Sequence, residues 1–230
     1  MKKLNKGLTY KKMDLHVHTP ASYDFNNKEI SPKDIVEHCQ KIGLDAIVIA
    51  DHNTGEYIDK IKDEAKEKIT VFPGVEISCA GGQNGIHIIG IFDIDRTTRD
   101  IEALLAKLDI EPSKYGKEDT ITGKSVNDVI NMITDQGGLA IAAHSQSSKG
   151  ILREMSGLQR TEVMNNPNLM AVEAALESDF LNEEKKTNKK RTIDILDGTD
   201  TNYKRKIAVY VASDSRKEGI EGHSLDGIGN

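Results

Sequence analysis

Short apolar runs alternate with amphipathic segments along most of the chain. Seven runs predict strands, at about 9–17, 46–50, 69–78, 85–92, 139–143, 169–176 and 206–212. Amphipathic stretches between them predict helices at about 31–43, 56–68, 100–108 and 125–136. This alternation is typical of βα units around a parallel sheet or barrel. The 230 residues fit one α/β barrel, so we expect a single domain spanning 1–230.

Specific residues predict the two ends of the first helix and one turn between strands. Ser31 followed by Pro32 predicts the start of the first helix, and Gly43 predicts its end. The link at 80–85, between the third and fourth strands, has the Gly and Asn-Gly residues of a hairpin turn. These residues predict the boundaries of the first helix and a hairpin between the third and fourth strands.

Composition narrows the class of protein. No apolar run approaches the ~20 residues that cross a bilayer, and the Lys-rich start at 1–12 lacks the apolar core of a signal peptide. We therefore expect a soluble, cytoplasmic protein without a membrane partner. Cys39 and Cys79 form no CxxC pair and are expected to be reduced and buried. The formal charge of −6 argues against a basic DNA-coating protein, but divalent cations in an acidic pocket would still admit a phosphate substrate.

Residues of metal-ligand type occur at or near the ends of most predicted strands. They are His16 and His18, Asp51 and His52, Glu76, His87, His144 and Asp214. Alternate residues of a strand point to the same side, so His16 and His18 project together. The carboxyl-terminal rim of a parallel barrel is where active sites form. Their convergence predicts a metal site, whereas His38 is interpreted as an ordinary helix histidine.

Six motifs carry a resemblance to a known family. In order they are Asp14-Leu15-His16-Val17-His18-Thr19, Ile49-Ala50-Asp51-His52-Asn53, Gly74-Val75-Glu76-Ile77-Ser78, Ile86-His87-Ile88-Ile89-Gly90, Ala142-Ala143-His144 and Ala212-Ser213-Asp214. They resemble the motifs of the PHP (polymerase and histidinol phosphatase) family of metal-dependent phosphoesterases. The resemblance implies a distorted, TIM-like barrel of seven βα units. It also implies two or three divalent metal ions, which are zinc, manganese or iron.

The resemblance also implies ligand roles. His16 and His18 are expected to bind one ion with Glu76 and Asp214, and Glu76 is expected to bridge to a second ion held by His87 and His144. Asp24 and His52 are expected to hold a third, and Asp51 to orient His52 or a neighbouring residue. A hydroxide shared by the ions would then cleave a phosphate ester without a covalent enzyme intermediate.

The last motif departs from the family pattern Asp-x-His, because Arg216 follows Asp214-Ser215. In one interpretation a short insertion delays the ligand, and His223 completes the third site. In the other, the third site is weakened and Arg216 contacts substrate phosphate. The first interpretation is favoured because the residues after His223 preserve the family pattern.

Several residues bear on the substrate. Lys149 and Arg153 follow His144 on the expected rim and are candidate phosphate contacts. Tyr23 and Phe25 are the aromatic residues expected near the rim, where they could stack on bases. Basic groups at 185–191 and 204–206 are interpreted as solvated surface. The closing segment 223–229 resembles the one by which some family members continue into an ATPase domain, so we expect an N-terminal PHP domain of a longer chain, linked to nucleic-acid processing.

Three functions follow from these residues. The first is a phosphoric ester hydrolase, either a nuclease or a nucleotide phosphatase, acting on DNA or RNA ends. The second is a PHP domain with weakened metal binding that regulates an ATPase or a nucleic-acid-processing partner. The third is a metallohydrolase acting on C–N bonds, which is disfavoured because no strand ends in a Lys suited to a carbamate bridge.

Overall fold

In the computed structural model, residues 10–174, 192–214 and 223–229 are described, and they form one curled sheet surrounded by helices. The strands are β1 (Met13–Val17), β2 (Ala46–Ile49), β3 (Thr70–Ala80), β4 (Ile86–Ile91), β5 (Thr122–Ser125), β6 (Leu139–Ala142), β7 (Leu169–Glu173) and β8 (Ala208–Tyr210). Their order is β1-β2-β3-β4-β6-β7-β8, with β5 paired to β3. The predicted TIM-like α/β fold and all seven predicted strands are confirmed. The short β5 was not predicted, because Thr-Gly-Lys-Ser has no apolar alternation.

One strand runs against the others. β4 pairs antiparallel with both β3 and β6, whereas β1, β2, β3, β6, β7 and β8 are parallel to their other neighbours along the sheet. The connection from β3 to β4 is only 81–85, too short for the crossover that parallel strands need. The hairpin turn predicted between these two strands is therefore confirmed, and β4 departs from the otherwise parallel βα pattern. The reversal places the start of β4 at the rim where the parallel strands end.

The helices cover the outer face of the sheet. They are α1 (Pro32–Lys41), α2 (Ile58–Ala65), α3 (Thr98–Lys107), α4 (Val126–Asp135), α5 (Ile151–Glu154), α6 (Gly157–Met164) and α7 (Thr192–Leu196). At the start of α1 the Ser31 hydroxyl accepts from the Asp34 backbone N–H, and the Asp34 carboxylate accepts from the Ser31 N–H. This capping box confirms the predicted start, and Gly43 follows the helix with a left-handed φ of 73°.

Apolar side chains form two layers. A large core lies between sheet and helices, and a small one fills the inside of the curled sheet. The inner core includes Val48 of β2, Ile89 of β4 and Ile141 of β6. Cys39 and Cys79 are free and buried, as expected. Within the described residues, no helix is both long and apolar enough to cross a membrane.

Gly116 allows the segment after α3 to pack closely against the loops at the rim. Its N–H donates to the His52 carbonyl, its φ is +67°, and an added Cβ would lie 2.3 Å from the Ala21 carbonyl oxygen. Gly116→Ala is therefore expected to lower the free energy of unfolding by about 1–3 kcal/mol, measured by urea denaturation. Gly123→Ala is the matched control, because a Cβ there meets nothing within 4 Å. Equal stability of the two variants would contradict this account.

Candidate metal centre

Glu76 lies at the centre of the rim, in the middle of β3, and is fully buried. Its two carboxylate oxygens face different histidines. Oε1 lies 2.8 Å from His87 Nδ1 and 2.9 Å from His144 Nε2. Oε2 lies 3.1 Å from His52 Nδ1, 3.3 Å from His16 Nε2 and 3.4 Å from His18 Nε2. One carboxylate thus stands between two sets of ring nitrogens.

The end of β1 and the segment after β8 supply the first group of candidate ligands. His16, His18 and Asp214 each offer one ligand atom, and these atoms lie within 4.8 Å of one another. The Nε2 atoms of His16 and His18 are 3.0 Å apart, and His18 Nε2 is 3.5 Å from Asp214 Oδ1. Two imidazole nitrogens facing each other this closely, beside a carboxylate, are arranged as ligands of one ion.

The second group lies on the other side of Glu76. It comprises Glu76, His87 and His144, whose ligand atoms also lie within 4.8 Å. His87 is the second residue of β4, so the reversal of this strand is what brings it to the rim. His144 follows β6 in a left-handed conformation with φ of 25°, which turns its ring toward Glu76. A non-glycine residue in this region is uncommon and is held by its surroundings.

A third group forms beside the first. His18, Asp24 and His223 have ligand atoms within 4.8 Å. Asp24 Oδ2 lies 3.1 Å from His52 Nε2 and 3.3 Å from His223 Nδ1, and His223 Nε2 also contacts Asp214. The structure therefore places His223 on the rim with the other candidate ligands. Arg216, the alternative, lies outside the described residues.

Four of these histidines use their second ring nitrogen to contact a residue outside the candidate ligands. The partners are Ser22 for His18 at 3.1 Å, Ser78 for His87 at 3.2 Å, Ser147 for His144 at 2.6 Å and Glu173 for His16 at 2.8 Å. Outer contacts of this kind orient imidazole ligands of metals. Sequence reasoning missed all four partners. The signal for Glu173 is a charged residue ending the apolar strand β7.

Charges within the cluster shift its ionisation. Burial would raise the pKa of Glu76, but the surrounding histidines lower it well below its usual value. Burial would lower the pKa of His18, but the hydrogen bond to Glu76 and the charge of Asp24 raise it to about 9. His87, in contrast, has its pKa lowered to about 3, chiefly by burial. In the metal-free chain, the positive charge of protonated histidines such as His18 therefore offsets the negative charge of the buried carboxylates.

The donor set fits divalent cations. Imidazole and carboxylate together are ligands for zinc, manganese and iron. In addition, Glu76 Oε2 and His52 Nδ1 are buried without a hydrogen-bond partner of acceptable geometry. Buried polar atoms without partners are rare, and those at metal sites are satisfied by the ion. The residues present are therefore able to bind metal.

Of the remaining predicted site residues, Asp51 and Lys149 lie beside the histidine cluster. Asp51 accepts from the backbone N–H and the hydroxyl of Thr19, both at 2.6 Å, and so fixes the loop after His18. Lys149 Nζ lies 3.4 Å from the Tyr23 hydroxyl, and the Tyr23 ring stacks on His52 with centroids 4.9 Å apart. This arrangement places Lys149 beside the cluster.

Two other predictions fare differently. Arg153 pairs with the neighbouring Glu154 at 3.8 Å, with its side chain 62% exposed, and the structure does not bring it to the cluster. The expectation that Phe25 could stack on a base is wrong, because the side chain is 2% exposed and packed in the interior. The basic group at 185–191 lies outside the described residues.

Comparisons with known proteins agree with this geometry. A family model described as the PHP domain matches residues 14–208. The 5′-3′ exoribonuclease of Haemophilus influenzae is 38% identical over 96 residues, which cover 41% of this chain and 33% of that protein. The chain thus matches about a third of the length of this relative.

Two solved structures share the fold. The lesion-specific endonuclease PfuEndoQ from Pyrococcus furiosus has a TM-score of 0.66 at 14% identity, covering 94% of this chain and 49% of that one. An amidohydrolase from Chromobacterium violaceum has a TM-score of 0.59 at 14% identity, covering 95% and 90% of the two chains. At these identities the likeness is one of fold.

A curled α/β barrel with histidines and carboxylates gathered at one rim defines a protein class able to bind metal ions at that rim. The family match over residues 14–208 makes the assignment specific. The chain belongs to the PHP domain family, as its six motifs predicted.

Proposed function

We propose that this chain is a metal-dependent phosphoesterase that hydrolyses phosphate esters of nucleic acids or nucleotides. The observation that carries the proposal is that the two carboxylate oxygens of Glu76 face different histidines. Oε1 faces His87 and His144, and Oε2 faces His16, His18 and His52. A carboxylate so placed is suited to bridge two cations. Paired cations are the usual device for clamping the attacking and leaving oxygens of a phosphate ester.

The residues would divide among two or three divalent ions, which are zinc, manganese or iron. One ion would be held by His16, His18, Asp214 and Glu76, and a second by Glu76, His87 and His144. Asp24, His52 and His223 would hold a third. When bound, such ions act as Lewis acids on the phosphoryl oxygen and lower the pKa of water at the site. The contact of His223 with both Asp24 and Asp214 favours three ions over two.

Other side chains would bind and orient the substrate. Lys149 is the candidate cation for a phosphate oxygen, because its ammonium group lies beside Tyr23 at the edge of the cluster. Tyr23 covers one face of His52 and limits access of water there. Asp51 fixes Thr19 and thereby the loop that carries Asp24 toward His52. Arg216 and Arg153 remain candidates for contacts to more distant phosphates.

The substrate class is inferred from the relative. The matched protein of Haemophilus influenzae is named a 5′-3′ exoribonuclease, and its identity of 38% to this chain favours an RNA or DNA end as substrate. The half-buried Tyr23 ring, next to candidate phosphate and metal ligands, is consistent with a single-stranded end. An ATPase domain in cis and a cytoplasmic location stay predictions from sequence.

The test combines metal content with hydrolysis. The purified chain is stripped with chelator, reloaded with Mn²⁺, Zn²⁺ or Fe²⁺, and incubated with 5′-phosphorylated single-stranded RNA and DNA and with aryl phosphate mono- and diesters. We expect two to three ions per chain and metal-dependent release of nucleotides. Less than one ion and no turnover with any cation would contradict the proposal and favour a regulatory domain. Cleavage of an amide but no phosphate ester would favour C–N chemistry.

Lys149→Met is expected to reduce kcat/KM for the phosphate ester about 10- to 100-fold, because a hydrogen bond to a charged group contributes about 1.5–3 kcal/mol. Metal content should not change, since Lys149 is not a metal ligand type. Lys124→Met is a matched control, because Lys124 pairs with Asp109 away from the cluster. A Lys149 variant with the kinetics of this control would remove Lys149 from the site.

A further inference from the structure

Glu173 is a buried carboxylate that the candidate ligand groups do not include. It ends β7 and is fully buried. Its Oε2 lies 2.8 Å from His16 Nδ1 and accepts from the backbone N–H of His144 at 3.1 Å. His16 belongs to the first ligand group and His144 to the second, so a single oxygen contacts both.

The contact with His16 fixes which ring nitrogen carries the proton. An ionised carboxylate only accepts hydrogen bonds, so His16 Nδ1 must donate. In the neutral imidazole that binds metal, the lone pair of Nε2 is then directed toward His18 Nε2 and Glu76 Oε2, at 3.0 and 3.3 Å. Ser22, Ser78 and Ser147 cannot fix a tautomer in this way, because a hydroxyl both donates and accepts.

The contact with His144 supports an unfavourable backbone conformation. With φ of 25°, His144 is in a region that side chains with a Cβ rarely occupy. The Glu173 carboxylate holds its N–H, and this geometry leaves His144 Nε2 at 2.9 Å from Glu76 Oε1. The same carboxylate therefore orients one ligand on each side of Glu76.

A purely structural role accounts poorly for this residue. Glu173 Oε1 is buried with no hydrogen-bond partner, whereas a carboxylate retained for stability would have both oxygens satisfied. The backbone of Glu173 is already secured, because its carbonyl accepts from the N–H and the hydroxyl of Ser145, both at 2.8 Å. What the side chain adds is its contact with two ligand residues.

We propose that Glu173 is a positioning residue of the metal centre, which sets the metal-binding tautomer of His16 and the backbone turn of His144 together. This inference rests on the proposed function, since it assigns Glu173 to the same site. It explains how one histidine from each ligand group is held with its Nε2 facing Glu76. Outer-shell partners of this kind typically change metal affinity or activity 10- to 100-fold when mutated.

The experiment compares Glu173→Gln with the wild type and with Ser145→Ala. Glutamine keeps the volume and an acceptor oxygen but removes the charge. Mn²⁺ affinity is measured by titration calorimetry, and the imidazole nitrogens of the Zn²⁺-loaded protein are observed by ¹⁵N NMR. We expect Glu173→Gln to weaken binding of at least one ion 10- to 100-fold. Ser145→Ala removes the hydrogen bond from the Ser145 hydroxyl to the Glu173 carbonyl and leaves the Glu173 side chain intact. It is expected to leave metal affinity within twofold of the wild type.

The NMR measurement keeps the test informative if a variant fails to fold. In the zinc-loaded wild type, His16 should carry a proton on Nδ1, shifted far downfield by the carboxylate. A proton on Nε2, or equal metal affinities of the wild type and a folded Glu173→Gln variant, would overturn the role of Glu173 alone. A wild-type chain that binds no ion would instead contradict the proposed function, so the two failures are distinguishable.

Discussion

Replacing Glu76 with glutamine is expected to remove at least one bound ion and to reduce phosphate-ester hydrolysis about 10³-fold or more. Each carboxylate oxygen of Glu76 faces a different set of histidine ring nitrogens, at 2.8–2.9 Å from one set and 3.1–3.4 Å from the other. Glutamine has the same shape but offers one oxygen, and its NH₂ group cannot bind a cation. A 10³-fold loss corresponds to about 4 kcal/mol, within the several kcal/mol that bound ions supply.

Metal analysis and kinetics of the same preparation test this expectation. Glu154→Gln is the matched control, because Glu154 is a partly buried glutamate that accepts from the Gln83 N–H outside the cluster. The control should retain its ions and its rate. A Glu76→Gln variant with full metal content and a rate within tenfold of wild type would show that Glu76 does not bridge.

The candidate ligands of the parallel strands could be predicted from their positions. They lie at or just after the ends of apolar runs, where the apolar pattern itself does not call for His, Asp or Glu. His16, His18, His52 and His144 are of this type, and all four lie in the cluster. His87 reached the rim for a different reason, since it begins a reversed strand. Strand direction there follows from the short link at 81–85, a signal that the sequence does contain.

The supporting residues could not be predicted in the same way. Ser22, Ser78 and Ser147 are ordinary in sequence, and their role depends on which ring nitrogen faces inward. That orientation is a property of packing around Glu76 rather than of spacing along the chain. Glu173 could not be identified for a similar reason, because it lies inside the strand predicted at 169–176 and its contacts with His16 and His144 depend on the fold.

The placement of His223 shows how tertiary contacts compensate for a broken motif. Its carbonyl accepts from the Asn26 N–H at 3.0 Å, which ties the segment to the loop that carries Asp24. Further along, the Gly229 N–H donates to Asp14 Oδ2 at 2.8 Å, and Asp14 Oδ1 accepts from Ser213 N–H at 3.3 Å. Asp14 thus secures the chain on both sides of Asp214 and His223, so their spacing in sequence does not determine their distance in space.

Metal removal is expected to reverse the pH dependence of stability. In the metal-free chain, the pKa of His18 is raised to about 9, against 6.5 when unfolded. Protonation of His18 then stabilises the fold fully below pH 6.5, and this contribution is lost as the pH rises through 9. The shift corresponds to at most about 3 kcal/mol. The pKa values of His16 and His144 are raised as well, so their contributions have the same sign.

Other buried groups titrate below this range, and His87 contributes with the opposite sign. The pKa of His87 is lowered to about 3 by burial, and its contribution changes between pH 3 and 6.5. Burial raises the pKa of Asp51 to about 6, against 3.8 when unfolded, so its contribution has the same sign as that of His18 and is lost as the pH rises from 3.8 to 6. Between pH 6.5 and 8.5 the metal-free chain should therefore lose stability steadily, with a fall in Tm of several degrees.

Bound cations impose the opposite slope, because only neutral imidazole binds them and their affinity rises as protons leave. Saturation at 1,000 times Kd stabilises the fold by about 4 kcal/mol for each ion. Thermal melts at pH 6.5 and 8.5, with Mn²⁺ or with chelator, should show a difference in Tm that widens toward pH 8.5. His18→Gln should flatten the slope of the metal-free protein. A metal-free chain whose Tm rises over this range would mean that the histidines are neutral in the fold, and that Glu76 and Asp214 are stabilised by something other than their protons.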